Sequence, residues 1–390
     1  MVNNKSITPP EYIILTDCQS VSRLDNDYKP SCNSGKISYS VHNKQVRLSG
    51  LDIVRTIACV SVIASHFFLY TDFNKTYFSG ISMFLQGMLQ SFEIGSDLYM
   101  ILTGFLCCNK LFGLKFYKSG LKVVLSYLVF SILTIIVDIY YFHDGMTWKA
   151  GILGIFSFST IPYAWYIEMW IGLFLLAPFI NILYKAIPTK RMKLYLIGML
   201  YLFTALPDFC NRYGMHLVPG FWEGLYPIMF YLTGAFIREY KPRFSRFKIA
   251  LGILTLISVG PVFNLIVSHP TYLHIIGDRN GLICVPLAVL VFLCFYNIEL
   301  KHEWSKNIFK NISLRSLDIF LCSSVFDAGI YPYFRNHFFA DQSQYGVYVF
   351  VIIPLIFLLS FSIATVKRAL FKLIERFVHL KPSFLDLKLT

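Results

Sequence analysis

"LDIVRTIACVSVIASHFFLYT", residues 51–71, is long and apolar enough to cross a bilayer as one helix, yet it carries Asp52, Arg55 and His66. An ionisable side chain in hydrocarbon costs a few kcal/mol unless it faces protein or water, so such residues are functional-site candidates by default. At about 100° per residue, the eleven steps from Arg55 to His66 return to nearly the same azimuth, roughly 16 Å further along the axis. Asp52, Arg55, Cys59, Val62 and His66 follow a 3-4-3-4 spacing that lays them along one seam, with Val62 interrupting its polarity. Arg55 can pair with Asp52 at one end, and Cys59 and Val62 are compact enough to leave room for a ligand or a neighbouring helix. Two plainer readings stand beside this one: Arg55 snorkels to headgroups, and His66 is a packing histidine.

The same kind of stretch recurs outward along the chain. Spans are predicted near 51–71, 92–108, 121–142, 163–183, 193–208, 220–237, 249–268, 281–298, 314–333 and 346–366. Of the 390 residues 56% are hydrophobic, 17% aromatic and only 15% charged, against about 25% charged in a soluble domain. The expected fold is an all-α integral membrane protein of about ten transmembrane helices.

A net charge of +13 suggests nucleic acid as a partner, but its placement argues otherwise. With the N-terminus inside, seventeen lysines and arginines fall in or beside the four inner connectors. Five fall in the outer ones: Lys75, Lys149, Arg212, Arg279 and Arg335. The positive-inside rule then places both termini in the cytoplasm, and the basic excess reads as a topology signal. Among the nine cysteines only Cys210 lies in an outer connector, and there is no zinc-like Cys/His spacing, so neither a disulfide nor a metal site is indicated.

Residues 1–48 are polar, without a signal-peptide pattern, and read as a disordered cytoplasmic tail; 49–375 form the membrane domain and 376–390 a second cytoplasmic tail. "YFSGISMFLQGMLQS" (77–91) and "KAGILGIFSFST" (149–160) read as interfacial pieces. "KRALFKLIERFVHL" (367–380) suits a surface helix on the inner leaflet.

A histidine on the seam suits general-base chemistry, because imidazole changes charge near working pH. It would activate a sugar hydroxyl for attack on a thioester carbonyl, while an arginine holds the donor's phosphates. Ser65 sits beside His66 but does not face it on a helix, so direct transfer is favoured over an acyl-serine.

The Arg-(ten residues)-His pattern resembles the membrane acyltransferase 3 family, whose members mostly O-acetylate bacterial surface polysaccharides. "GSDLYMILTGFL" (95–106) is similar to the family's Gly-x-x-x-Phe-Phe-x-x-Ser-Gly-Phe/Tyr-Leu pattern. "AWYIEMWIGLFLLAPFIN" (164–181) and "FYLTGAFIRE" (230–239) resemble two later spans. The likeness covers about residues 49–375. It implies an acetyl-CoA-dependent O-acyltransferase of the bacterial cytoplasmic (inner) membrane, acting on a glycan or its lipid-linked precursor. By position it makes His66 the catalytic histidine and Arg55 its partner or a donor ligand, with Thr103 and Gly104 at the Ser-Gly position, where small residues permit close helix approach. The family's arginine-rich stretch here reads "FYKSGLKVVL" (116–125), which leaves Lys118 and Lys122 for the donor. A further segment reads "SLDIFLCS" (316–323), with Asp318 for a glycine and Ser323 for a histidine.

Glu168 is expected to orient His66 or the acceptor, or to form a structural pair with an arginine or a backbone donor, and Trp165 and Tyr166 to stack on a sugar ring or sit in an interfacial aromatic belt. Asp97 is a weaker acceptor contact. Asp318 and Asp327, nine steps apart, face opposite ways and have no assigned role, and His269 and His274 read as solvated loop residues. Two other readings remain open: a transporter or flippase using the seam as a path, or a catalytically silent relative. Broken, repeated helices would favour the transporter, and none is evident.

Overall fold

The stretch at 51–71 folds as one unbroken helix, α1 (Ser49–Tyr70), with no proline and no glycine after its first turn. A computed structural model describes residues 47–72, 80–143, 145–211, 216–268, 272–273, 281–338 and 345–378. The predicted tail up to residue 46, His269, His274 and the chain beyond 378 lie outside the described residues. The described residues fold into helices joined by turns and short loops, with no strand among them.

After α1 come α2 (Gly80–Gln90), α3 (Gly95–Cys107), α4 (Leu114–Val137) and α5 (Trp148–Phe156). They are followed by α6 (Trp165–Ala186), α7 (Lys190–Cys210), α8 (Tyr226–Tyr240) and α9 (Arg246–Val267). The last four are α10 (Cys284–Phe295), α11 (Glu303–Ser313), α12 (Ser316–His337) and α13 (Tyr345–Val378). A π-helical turn, Asp138–Phe142, prolongs α4.

Each of the ten predicted spans coincides with a helix, but among the described residues six helices are long and apolar enough to cross a membrane: α1, α4 with its π turn, α6, α7, α9 and α13. The other four depart from the expectation for two reasons. Helices α3, α8 and α10 have only 13, 15 and 12 residues, short of the roughly 20 that a bilayer core requires. Helix α12 has 22 residues but carries Asp318 and Asp327. The short helices are mostly buried in protein, whereas α6, α9 and α13 expose leucines such as Leu183, Leu254 and Leu358. An inner group of helices is thus enclosed by an outer group whose apolar faces have no protein cover, the arrangement of a multi-pass membrane protein.

Helix α1 belongs to the inner group. A Cβ on Gly50 would meet the Phe295 and Tyr296 carbonyls of α10, and one on Gly95 would lie 2.6 Å from the Ala58 carbonyl oxygen. Helices α3 and α8 cross still more closely. Gly104 lies on the Tyr231 backbone and Gly234 on the Ile101 backbone, so the two motif glycines form one crossing.

Several polar side chains inside the bundle tie helices together, as a low-dielectric interior favours. Asn181 donates to the Cys107 and Lys110 carbonyls at 2.8 and 2.9 Å and accepts from Tyr231 Oη at 2.8 Å, joining α3, α6 and α8. Lys367 Nζ reaches Asp318 Oδ1 at 2.5 Å and Ser126 Oγ at 2.7 Å, joining α13, α12 and α4. The stretch from 367, expected as a separate surface helix, instead continues α13 to Val378, since no proline or glycine interrupts the chain after Pro354.

Candidate functional site

The seam on α1 keeps its geometry but changes its partners. At the far end His66 is buried, and its Nδ1 lies 3.0 Å from Asp327 Oδ2 of α12. Tyr163, in the turn before α6, donates to the same oxygen at 2.9 Å. The Tyr163 ring also stacks on the imidazole, with centroids 3.5 Å apart and planes inclined by 18°. Asp327 is fully buried, and a buried carboxylate accepts hydrogen bonds only, so it favours the tautomer with hydrogen on His66 Nδ1. Nε2 then carries the lone pair and makes no hydrogen bond among the described residues.

His66 lines a cavity of about 540 Å³. The walls come from the end of α1, the turn between α2 and α3 with Gln90 and Glu93, and the start of α6 with Trp165 and Tyr166. Tyr99 of α3 closes the side toward Arg55, its hydroxyl 3.5 Å from the Arg55 carbonyl oxygen. The walls combine aromatic faces with scattered polar groups, the usual make-up of a small-molecule site.

At the near end Arg55 donates to Ser313 Oγ at 3.0 Å. Asp52, expected to pair with Arg55, is instead held by Arg47, Nε to Oδ2 at 2.7 Å and Nη2 to Oδ1 at 2.5 Å. Arg55 does not line the cavity.

A family model described as an acyltransferase domain matches residues 48–365. The chain belongs to the acyltransferase 3 family. No curated protein and no solved structure matches it. The family and the apolar helices together make the chain a membrane acyltransferase.

Within this acyltransferase the remaining residues singled out from sequence scatter. Trp165 and Tyr166 line the cavity, but Glu168, one turn further along α6, is exposed and absent from its walls. The carboxylate hydrogen-bonded to His66 is Asp327 rather than Glu168. Asp97 is fully buried outside the cavity and accepts from Ser96 Oγ at 3.2 Å. Thr103 turns back on its own helix, donating to the Tyr99 carbonyl at 2.8 Å. Lys118 is exposed and Lys122 half-buried near the start of α4, and neither reaches the cavity. Ser323 is also fully buried and donates to the Phe320 carbonyl.

Sequence reasoning missed Asp327 and Tyr163 as partners of His66. An acid inside a span is a signal, and Asp327 carried it; the missing information was which helix α12 would face. Tyr163 sits in an irregular turn where no periodicity operates.

Proposed function

We propose that this membrane acyltransferase is an O-acetyltransferase that moves an acetyl group from cytoplasmic acetyl-CoA to a hydroxyl of a sugar. The acceptor is a cell-surface polysaccharide or its lipid-linked precursor, and the site of action is the bacterial inner membrane. The observation that carries the reading is His66 at the cavity wall with Nδ1 on buried Asp327 and Nε2 unengaged.

In this reading a sugar ring rests against Trp165 and Tyr166. Nε2 of His66 takes the hydroxyl proton as the oxygen attacks the thioester carbonyl. The C–S bond then breaks, and the imidazolium returns the proton to the departing thiolate of coenzyme A. Asp327 stabilises the imidazolium between these steps, as a carboxylate beside a general base does. Arg55, about three turns away on the same face, lies on the side where the positive-inside rule puts the cytoplasmic donor.

The test compares membranes bearing the wild type, His66→Ala and Arg55→Ala, each given radiolabelled acetyl-CoA and the host's polysaccharide precursors. The expected result is label in the glycan with wild type and a loss of about 10²–10⁴-fold with His66→Ala. Transfer that survives His66→Ala would sink the assignment. Glycan export that depends on His66 without any transfer of label would favour a transporter.

A further inference from the structure

The cavity at His66 has a charge pattern that the transfer step itself does not use. Gln90 and Glu93 line its wall from the turn that joins α2 to α3. The turn is tight: the Phe92 N–H donates to the Leu89 carbonyl at 3.1 Å and the Glu93 N–H to the Gln90 carbonyl at 3.0 Å. It is anchored on both sides. Ser91 Oγ donates to the Ile257 carbonyl of α9 at 3.4 Å, and Gly95, two residues after Glu93, packs against the Ala58 carbonyl of α1. Glu93 is therefore held at the wall by backbone.

Among the described residues of the wall Glu93 is the one carboxylate, and no lysine or arginine joins it there. Two more carboxylates stand directly behind the wall: Asp327 behind His66 and Tyr163, and Asp97 behind Ser96. Two cations close by stay out of the wall. Arg55 sits behind Tyr99, and Arg335 is exposed and donates to the Tyr70 carbonyl at 2.6 Å. A carboxylate in a partly enclosed, weakly polar cavity repels a second anion strongly, and no cation in this wall offsets the repulsion. A carboxylate only accepts hydrogen bonds, so what it receives well is a hydroxyl or an ammonium group.

We infer that Glu93 is a specificity-determining residue, which makes the cavity a site for uncharged or ammonium-bearing sugars and bars anionic ones such as uronic acids and sugar phosphates. The inference rests on the proposed transfer to a sugar and narrows its acceptor class. The selection works chiefly by repelling the wrong ligand. If the acceptor is lipid-linked, its phosphates lie outside the cavity and only uncharged or cationic sugar units enter it.

The full chain in phosphatidylcholine nanodiscs is titrated near neutral pH with methyl hexosides that differ only at C6: hydroxyl, carboxylate or ammonium. Gluco, galacto and manno series are all run. Ligand-observed saturation-transfer NMR with competition between the three members of a series gives relative affinities even where binding is weak. With wild type the carboxylate sugar is expected to bind about ten-fold more weakly than the hydroxyl sugar, and the ammonium sugar at least as well as it. In Glu93→Gln the carboxylate sugar gains about ten-fold, the ammonium sugar weakens and the hydroxyl sugar is unmoved. Glu93→Lys inverts the order. A merely structural Glu93 would move all three sugars together, and that outcome in a folded Glu93→Gln protein overturns the inference, as does an unchanged order. Failure of wild type to bind any member of any series overturns it as well. Label transfer that runs equally well to neutral and anionic acceptors overturns the selectivity while leaving acyl transfer intact. Selection as described by a protein that transfers no label supports the role of Glu93 and overturns the acyl-transfer reading alone.

Discussion

Asp327 meets His66 across 261 positions of chain, and the pair makes a sharp expectation at the scale of single atoms. In Asp327→Asn the amide can donate to Nδ1, which would move the imidazole hydrogen to Nε2 and aim it into the cavity where a lone pair is needed. Under the proposed chemistry kcat falls by about 10²–10⁴-fold. KM for the acceptor stays near wild type, because Asp327 is not part of the cavity wall. Steady-state transfer kinetics with a glycan acceptor check the split, and a rise in KM with kcat unchanged would argue that Asp327 merely supports the cavity. Tyr163→Phe keeps the stacked ring but removes the bond to Oδ2, so a smaller kcat loss is expected there. That His66 and Arg55 share one face of a helix was legible in the sequence, because apolar surroundings and helical phase are both local. Their partners were not. The half-turn between Asp318 and Asp327 correctly sent them opposite ways, one to Lys367 and the other to His66, but phase alone does not name the helix on the other side.

Among the elements, the position of every predicted span was readable from apolar runs, while its length was not. Helices α3, α8 and α10 lie where expected and are too short to cross a bilayer unaided. Apolar content marks any helix screened from water, and it does not separate one facing lipid from one enclosed by other helices. The small-residue motifs carried better information, because Gly104 and Gly234 meet at the crossing of α3 and α8. A methyl group at either position would collide with a backbone carbonyl of the other helix, and backbone cannot rotate aside as a side chain can. Gly104→Ala is therefore expected to destabilise the fold by about 1–3 kcal/mol or more. Gly172→Ala on α6, where nothing lies within 4 Å of the added Cβ, is the control and leaves stability unchanged. Thermal challenge followed by size-exclusion of the detergent-solubilised proteins reads the difference. Equal melting of the two variants would show that the crossing is looser than the glycines imply.

At the scale of the whole molecule the question is whether the short inner helices count as crossings. Six long helices and ten helices both return the chain to its starting side, so the location of the termini does not discriminate. The connector after α3 does. Gly95, at the start of α3, lines the cavity with His66, whereas Phe105 near its end packs 5.9 Å from Tyr296, beside the Gly50 end of α1. Helix α3 therefore runs antiparallel to most of the length of α1, and Lys110 emerges at the Arg55 end. If α3 turned back instead, Lys110, Lys115 and Lys118 would all lie outside, against the charge asymmetry of the other connectors. Single cysteines at positions 110, 149 and 241 in a cysteine-free background, treated with a membrane-impermeant maleimide, test this. Lys110→Cys and Lys241→Cys are expected to react only in inverted vesicles, and Lys149→Cys only in right-side-out ones. Labelling of position 110 from outside would mean that α3 does not cross. The cavity at His66 and the arginine at Ser313 would then need a different assignment of sides, and a cytoplasmic donor would have no direct route to Arg55.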